Sequence, residues 1–298
     1  MKATTSPDLR SRGRLNPQAA ATRMEPVMTD PQKFSPHGTL IGMVHVGALP
    51  GTPNHAESVE HLARTAAHEA RTLIESGFDA IIIENMHDAP YIHGARLGPE
   101  IACAMTRVGA EVASAISARS DVPLGVQILS GGNRHALAVA HSIGGSFIRC
   151  ENFVYAHVAD EGLLPEAEAG PLLRYRKSID AERVSIFADI KKKHASHAIT
   201  ADISVADAAH AAAFFGADGL IITGAWTGTP ADPSDAEAAK NASGLPVLIG
   251  SGVTDTNVRD MLAVADGVIV GSSIKEGGVW SNPVCAQRAA ALVAAAHG

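Results

Sequence analysis

The sequence predicts an α/β protein, a closed (β/α)8 barrel of eight parallel strands behind an irregular N-terminal tail. Three observations predict it. Eight short aliphatic runs alternate with eight Ala-rich amphipathic stretches, and the alternation continues unbroken to the end of the chain. Residues 37–298 come close to the ~250 residues such a barrel takes. This spacing requires parallel strands with right-handed crossovers, and eight units favour closure over an open doubly wound sheet.

Residues 1–36 stand apart. They lack apolar periodicity, carry Pro7, Pro17, Pro26, Pro31 and Pro36, and scatter Arg10, Arg12, Arg14 and Arg23 among small polar residues. A mobile tail is expected, with residues 37–298 as the barrel domain. The tail has no apolar core of ~7–15 residues for a secretory signal and no amphipathic repeat for a transit peptide. Met24 and Met28 leave open a later start of translation.

The strand candidates follow in order at 39–46, 79–83, 124–129, 147–150, 184–190, 219–223, 247–249 and 267–270. Each is a continuous β-branched or aliphatic run, the mark of a strand buried on both faces. The helix candidates are 58–75, 99–117, 134–142, 171–179, 205–215, 234–241, 254–264 and 283–295, each rich in helix formers. Strand entries recur: Gly77-Phe78-Asp79, Gly216-Ala217-Asp218 and Ala265-Asp266-Gly267 each precede an aliphatic strand. Either the barrel has two similar halves, or αβ turns in such a fold simply favour Gly and Asp.

Composition excludes several functions. Hydrophobic residues make up 46% and charged residues 18%, with mean hydropathy +0.09, too apolar for a disordered chain. No run reaches the ~18 apolar residues of a membrane span, although peripheral membrane association stays open. The net charge of −7 has the wrong sign for a nucleic-acid partner. Cys103, Cys150 and Cys285 form no paired motif, so no disulfide framework or zinc module is implied, and a reducing, cytoplasmic location is expected. Barrels of this kind often pair through their helices, so a homo-oligomer is expected.

Function in this fold sits at the carboxyl ends of the strands. After the seventh run comes Gly250-Ser251-Gly252, and after the eighth Gly271-Ser272-Ser273, both leading towards a helix. Glycine lets backbone N–H groups approach an anion, hydroxyls add donors and a helix start adds positive potential, a combination suited to a phosphate monoester. The other reading is that tight βα turns need small residues. Lys275, just past the second corner, either adds charge or is a solvated surface residue.

The remaining strand ends are polar: His45, then Glu84 and Asn85, Gln127, Arg149 with Glu151 and Asn152, Asp189 with Lys191, and Thr223 with Trp226. Strand alternation puts Arg149 with Glu151, and Asp189 with Lys191, on common faces. If those faces point inward, carboxylates and a lysine meet at the mouth, where they can move protons or orient a ligand. Alternatively Arg149 belongs to a salt-bridge network that plugs the barrel. Glu84, Asp189, Lys191 and His45 are the catalytic candidates. Asn85, Gln127, Arg149, Glu151, Asn152, Thr223 and Trp226 are the substrate-binding candidates. No cofactor or metal is expected: no His-x-His or His-Glu-x-x-His occurs, and His194 and His197 are the nearest approach to a chelating pair. No Gly-x-Ser-x-Gly elbow supports a serine nucleophile. Long connections at residues 86–98, 153–170, 192–203 and 224–233 read as a lid over this face.

Several segments together resemble a known family. Gly42-Met43-Val44-His45 with Leu49-Pro50-Gly51, Asp79-Ala80-Ile81-Ile82-Ile83-Glu84-Asn85 with Asp88-Ala89-Pro90, Asp160-Glu161-Gly162, Leu173-Arg174-Tyr175-Arg176, Phe187-Ala188-Asp189-Ile190 with Lys193-His194, and Thr223-Gly224 are similar to the BtpA/SgcQ family over about residues 38–296. The resemblance implies a TIM barrel. In photosynthetic members it implies a part in photosystem I biogenesis at the thylakoid surface; SgcQ-type members lie among sugar-phosphate genes and are described as nucleotide-processing enzymes. The Lys191-Lys192-Lys193 run departs from the more hydrophobic or His-containing stretch of other members.

The reading that follows is an enzyme for a phosphorylated sugar or nucleotide-like molecule, acting by isomerisation, lyase chemistry or nucleosidase-type cleavage. Its competitor is a non-catalytic assembly factor peripheral to a membrane.

Overall fold

A computed structural model describes residues 33–117, 121–224 and 226–298, so most of the expected tail lies outside the described residues. The first half of the barrel runs β1 (Thr39–His45), α1 (Val59–Glu75), β2 (Ala80–Glu84), α2 (Pro99–Ser117), β3 (Leu124–Gln127), α3 (Asn133–Ile143) and β4 (Phe147–Cys150). A hairpin of β5 (His157–Ala159) and β6 (Gly162–Leu164) follows, then α4 (Ala169–Ser178), β7 (Ser185–Ile190) and a two-residue β8 (Ala195–Ser196). The chain closes with α5 (Val205–Phe214), β9 (Gly219–Ile222), α6 (Pro233–Ser243), β10 (Val247–Ile249), α7 (Val258–Val264), β11 (Gly267–Val270) and α8 (Ala286–His297). Eight strands form one closed parallel barrel in the order β1-β11-β10-β9-β7-β4-β3-β2.

The recurring Asp of the strand entries has a structural task. Asp79 Oδ2 accepts the Leu40 N–H at 2.8 Å, Asp218 Oδ2 the Ile186 N–H at 2.9 Å and Asp266 Oδ2 the Val247 N–H at 2.9 Å. In each case the carboxylate closes off the first free amide of the neighbouring strand, at the end of the barrel opposite the mouth. This satisfies buried donors without any need for sequence-wide twofold repetition, which favours the turn-chemistry reading of those entries.

Below the mouth the barrel is solid. Met43, Ile82, Phe147, Phe187, Ile221, Leu248 and Ile269 point inward and bury one another. Phe147 lies over Gly125 and Phe187 over Gly219, where an added Cβ would come within 2.3 and 2.2 Å of the rings. Phe34 stacks on Phe147 at 4.5 Å and closes the floor. The charged and imidazole side chains on the same inward faces, His45, Glu84, Arg149 and Asp189, lie above this layer at the carboxyl ends, while Ser185 below it donates to Phe34 O.

Three features differ from the sequence expectation. The 153–170 connection holds a hairpin that pairs antiparallel with β8, giving a small separate sheet. Its strands of three and two residues are too short for periodicity to register. Second, α7 starts at Val258 and not at 254, because Asn257 Oδ1 takes the Thr254 N–H at 2.8 Å and Asn257 Nδ2 donates to Gly252 O at 3.0 Å. Third, Lys275 is neither at the mouth nor on the surface. It is fully buried, with Nζ 2.8 Å from Glu69 Oε2 on α1.

Candidate active site

Within the ring of carboxyl ends is a cavity of about 230 Å³. The corner after β10 and the corner after β11 both open onto it: Gly250, Ser251, Gly252, Gly271, Ser272 and Ser273 all line its wall. His45 and Glu84 line it from β1 and β2, Arg149 from β4 and Lys193 from beyond β7. The long connections supply Met86, Thr227 and Gly228, and Arg288 reaches it from α8.

The corners are held in place by their own side chains. Ser251 Oγ accepts the Gly224 N–H at 2.7 Å and donates to Thr229 O at 3.0 Å, which ties the β9 connection to the β10 corner. Ser273 Oγ donates to Val253 O at 2.6 Å and joins the two corners. Both of these hydroxyls are committed within the protein, so the donors the corners leave for an anion are backbone amides and the Ser272 hydroxyl. Gly252 adopts φ +68°, and a Cβ there would lie 2.2 Å from the Pro230 nitrogen. Only glycine fits that turn and that contact. Ser272 and Ser273 open the three-residue 3-10 turn Ser272–Ile274, and the first N–H groups of such a turn have no partner inside it. The sequence anticipated a helix behind each corner. In the structure one corner leads into a turn held by the Asn257 side chain and the other into that single 3-10 turn, so amide direction, not a long helix dipole, is what these corners provide. Arg288 Nε, 2.7 Å from Ser273 O, adds a cation beside the second corner.

Acid–base groups share the cavity with these corners. His45 Nδ1 donates to Trp280 O at 2.7 Å, which leaves Nε2 as an acceptor, 3.7 Å from Glu84 Oε2. Burial holds the imidazole neutral, at about 3. Burial likewise pushes the Glu84 carboxyl above the ordinary glutamate value, against the opposing pull of Arg149 and Lys193. A carboxyl raised by burial and an imidazole lowered by it thus lie side by side at the cavity.

Other sequence candidates have partners. Arg149 holds Asp189 through two bonds, Nε to Oδ2 and Nη2 to Oδ1, both 2.9 Å and both buried. Glu151 accepts the Gly131 N–H at 2.6 Å and sits 3.1 Å from Lys192 Nζ. Burial works to raise the Glu151 carboxyl, but Lys192 and the Gly131 amide outweigh it and hold it at about 2. Lys192 also reaches Glu161 at 3.5 Å, and Ser130 Oγ donates to both Glu151 and Glu161, so this cluster pins the β5–β6 hairpin to the barrel. Asn85 clamps the β3 exit, with Oδ1 accepting the Leu129 N–H at 2.7 Å and Nδ2 donating to Asp88 at 2.7 Å. Asn152 donates to Glu166 O at 2.6 Å. Gln127, paired in register with Glu84, is buried, and its Oε1 has no protein partner.

The structure does not bring Lys191 to the mouth. β7 ends at Ile190, and Lys191 takes φ +47°, which breaks the alternation that put it beside Asp189. It instead lies in the field of Asp207 and Asp235 at the starts of α5 and α6. Lys193 lines the cavity in its stead, with its N–H on Thr223 Oγ1 at 3.0 Å. Trp226 is 61% exposed and packs its ring on His194, outside the cavity wall. His194 Nε2 accepts the Thr227 N–H at 3.2 Å, while His197 Nε2 donates to Lys192 O at 3.0 Å, so the two imidazoles are turned to different partners. Sequence reasoning missed Lys193 and Arg288. The triple-lysine run was the signal for the first; nothing in the sequence marked the second.

A profile of the BtpA family matches residues 36–298. The chain belongs to the BtpA family. Among BtpA relatives, an uncharacterized mitochondrial protein of Caenorhabditis elegans is 44% identical over 244 residues, 82% of this chain and 87% of that one. The photosystem I biogenesis protein BtpA of Synechocystis sp. is 34% identical over 267 residues, 89% of this chain and 90% of that one. Among solved structures, tryptophan synthase of Mycobacterium tuberculosis superposes with TM-score 0.56 at 17% identity, covering 87% of this chain and 93% of that one. Thiamine phosphate pyrophosphorylase from Pyrococcus furiosus gives 0.54 at 13% identity, over 87% and 95%. (S)-3-O-geranylgeranylglyceryl phosphate synthase from Thermoplasma acidophilum, in complex with sn-glycerol-1-phosphate, gives 0.52 at 14% identity, over 87% and 93%. At these identities the structural likeness establishes the TIM-barrel fold that the BtpA chain shares with enzymes. Among the described residues no helix is long and apolar enough to cross a membrane.

Proposed function

We propose that this BtpA-family barrel is an enzyme for a small phosphorylated compound, whose phosphate is gripped by the backbone amides of the β10 and β11 corners. The observation that carries the reading is that both corners line one cavity together with Glu84, His45 and Lys193. At about 230 Å³ the cavity falls below the ~300–1,000 Å³ usual for small-molecule sites, which favours a sugar phosphate over a nucleotide. Two of the fold neighbours are named for phosphorylated compounds, which is consistent with this ligand class. Glu84 is the proton donor of the proposal and Gln127 a ligand contact; Asp189 serves by fixing Arg149. Isomerisation and lyase chemistry both use such a set.

Thermal shift with inorganic phosphate, glycerol phosphate and ribose 5-phosphate tests the reading. Stabilisation of the wild type but not of Ser272→Glu, which places a carboxylate in the grip, is the expected result. No stabilisation by any of the three removes the reading.

An assembly role is the second reading, favoured by the name of the Synechocystis relative and by the Arg149–Asp189 pair, which occupies one of the two predicted carboxylates. A reducing, cytoplasmic location belongs to the proposal on the strength of three free cysteines. So does self-association, for which the exposed Phe214 and Phe215 at the end of α5 are the candidate contact.

A further inference from the structure

Lys193 has no task in the phosphate grip as described. Its N–H is fixed on Thr223 Oγ1, so the root of the side chain is held where β7 and β9 meet the cavity. Its two lysine neighbours have carboxylates: Lys192 has Glu151 and Glu161, and Lys191 lies near Asp207 and Asp235. Among the described residues Lys193 Nζ forms no ion pair. The acids around it, on β2 and β7 and just past β4, are otherwise engaged or shifted: Asp189 is held by Arg149, Glu151 by Lys192, and burial raises the Glu84 carboxyl above its ordinary value. Burial, and then the Arg149 guanidinium, push the Lys193 ammonium below its ordinary value. A desolvated lysine beside a second cation is the setting in which a primary amine becomes a nucleophile.

We propose that Lys193 Nζ forms a Schiff base with the carbonyl carbon of a phosphorylated aldehyde or ketone held in the cavity, an inference that rests on the phosphate reading above. The Nζ lone pair attacks the carbonyl carbon, a C–N bond forms, and the π pair moves onto oxygen. A proton shifts from nitrogen to that oxygen and gives a neutral carbinolamine. Glu84 then donates its carboxyl proton to the hydroxyl, water leaves with the C–O bonding pair, and the nitrogen lone pair closes the C=N bond. The products are an iminium cation and the Glu84 carboxylate beside it. The iminium draws electrons from the adjacent carbon, which permits C–C cleavage or proton abstraction there, and water reverses the linkage. No oxidant or reductant is needed.

The test is trapping. The intact protein is incubated with glyceraldehyde 3-phosphate, or with dihydroxyacetone phosphate, in the presence of cyanoborohydride, whose hydride reduces an imine to a secondary amine. Mass spectrometry then maps the adduct. The expected result is an adduct at Lys193, suppressed by excess inorganic phosphate and lost in Lys193→Arg, which keeps the charge. Labelling confined to exposed lysines such as Lys177, or unaffected by phosphate, overturns the proposal. Competitive acetylation across pH supplies a readout independent of substrate: Lys193 is expected to react at lower pH than Lys177, and equal profiles overturn the proposal. If phosphate stabilises the wild type and Lys193→Arg alike while no adduct forms, the Schiff base is refuted and the phosphate site stands. If glycolaldehyde is trapped at Lys193 and phosphate has no effect on trapping or melting, the phosphate reading falls, and the proposed substrate class with it.

Discussion

Arg149 on β4 and Asp189 on β7 face each other across adjacent strands and share two parallel hydrogen bonds of 2.9 Å, with both side chains buried. The pair forms the base of the mouth, above the aromatic layer of Phe147 and Phe187. Removing one partner leaves the other charge buried without compensation. Arg149→Ala is expected to cost about 3–5 kcal/mol. Arg149→Lys should recover little, because an ammonium cannot reproduce the planar two-bond fork. Denaturant unfolding of the two variants measures both, and a loss near zero for Arg149→Ala would show that the pair is not formed in solution.

Glu84 gives a pH signature of defined sign. Burial raises its carboxyl in the folded state above the ordinary 4.5, so over that interval the folded chain binds more protons than the unfolded chain. The stabilising contribution is fully present below the unfolded value and is lost as pH rises through the folded one. Glu84→Gln mimics the protonated acid. Its melting temperature is expected to hold as pH rises through this range while that of the wild type declines; parallel profiles would mean that Glu84 ionises freely.

His45 acts in the opposite direction. Its imidazole is pushed down to about 3 by burial, from 6.5 in the unfolded chain. Between those values the unfolded state binds the extra proton, so stability is present above 6.5 and falls as pH falls towards 3. The slope from one such group reaches ~1.4 kcal/mol per pH unit. His45→Gln should flatten the acid side of the stability profile, as followed by denaturant midpoints from about pH 7 to pH 5. An unchanged slope would contradict a buried neutral imidazole.

Gly252 is the most constrained residue of the two corners. With φ +68° and the Pro230 backbone 2.2 Å from the site of an added Cβ, Gly252→Ala forces the β9 connection to move. A loss of at least ~1–2 kcal/mol is expected, together with weakened ligand binding. Ser251→Ala, which strands the Gly224 N–H, should cost ~1–3 kcal/mol. Thermal melts of both variants decide this, and a neutral Gly252→Ala would refute the corner geometry.

The barrel could be read from the sequence because both of its signals are local. Unbroken aliphatic runs such as Ile81-Ile82-Ile83 register as strands buried on two faces, and the turns between units carry Asp79, Asp218 and Asp266 in plain view. Inward parity within a strand was equally readable, which is why Glu84, Arg149 and Asp189 were found. Parity fails where the strand ends. Lys191 lies one residue past β7 in a left-handed turn, and no pattern of residue types distinguishes it from Lys193. Partnership is non-local as well: that Ser251 and Ser273 hold other loops, and that Arg288 arrives from the last helix, depends on contacts between distant segments.

The proposed function requires the amide groups of two corners to bind one anion. Titrating inorganic phosphate into the isotope-labelled protein while following backbone amide resonances reads those groups individually. Saturable shifts at Gly252, Ser272 and Ser273, absent in Ser272→Glu, are the predicted result; saturation without movement of these amides, or no saturable shift anywhere, would contradict it.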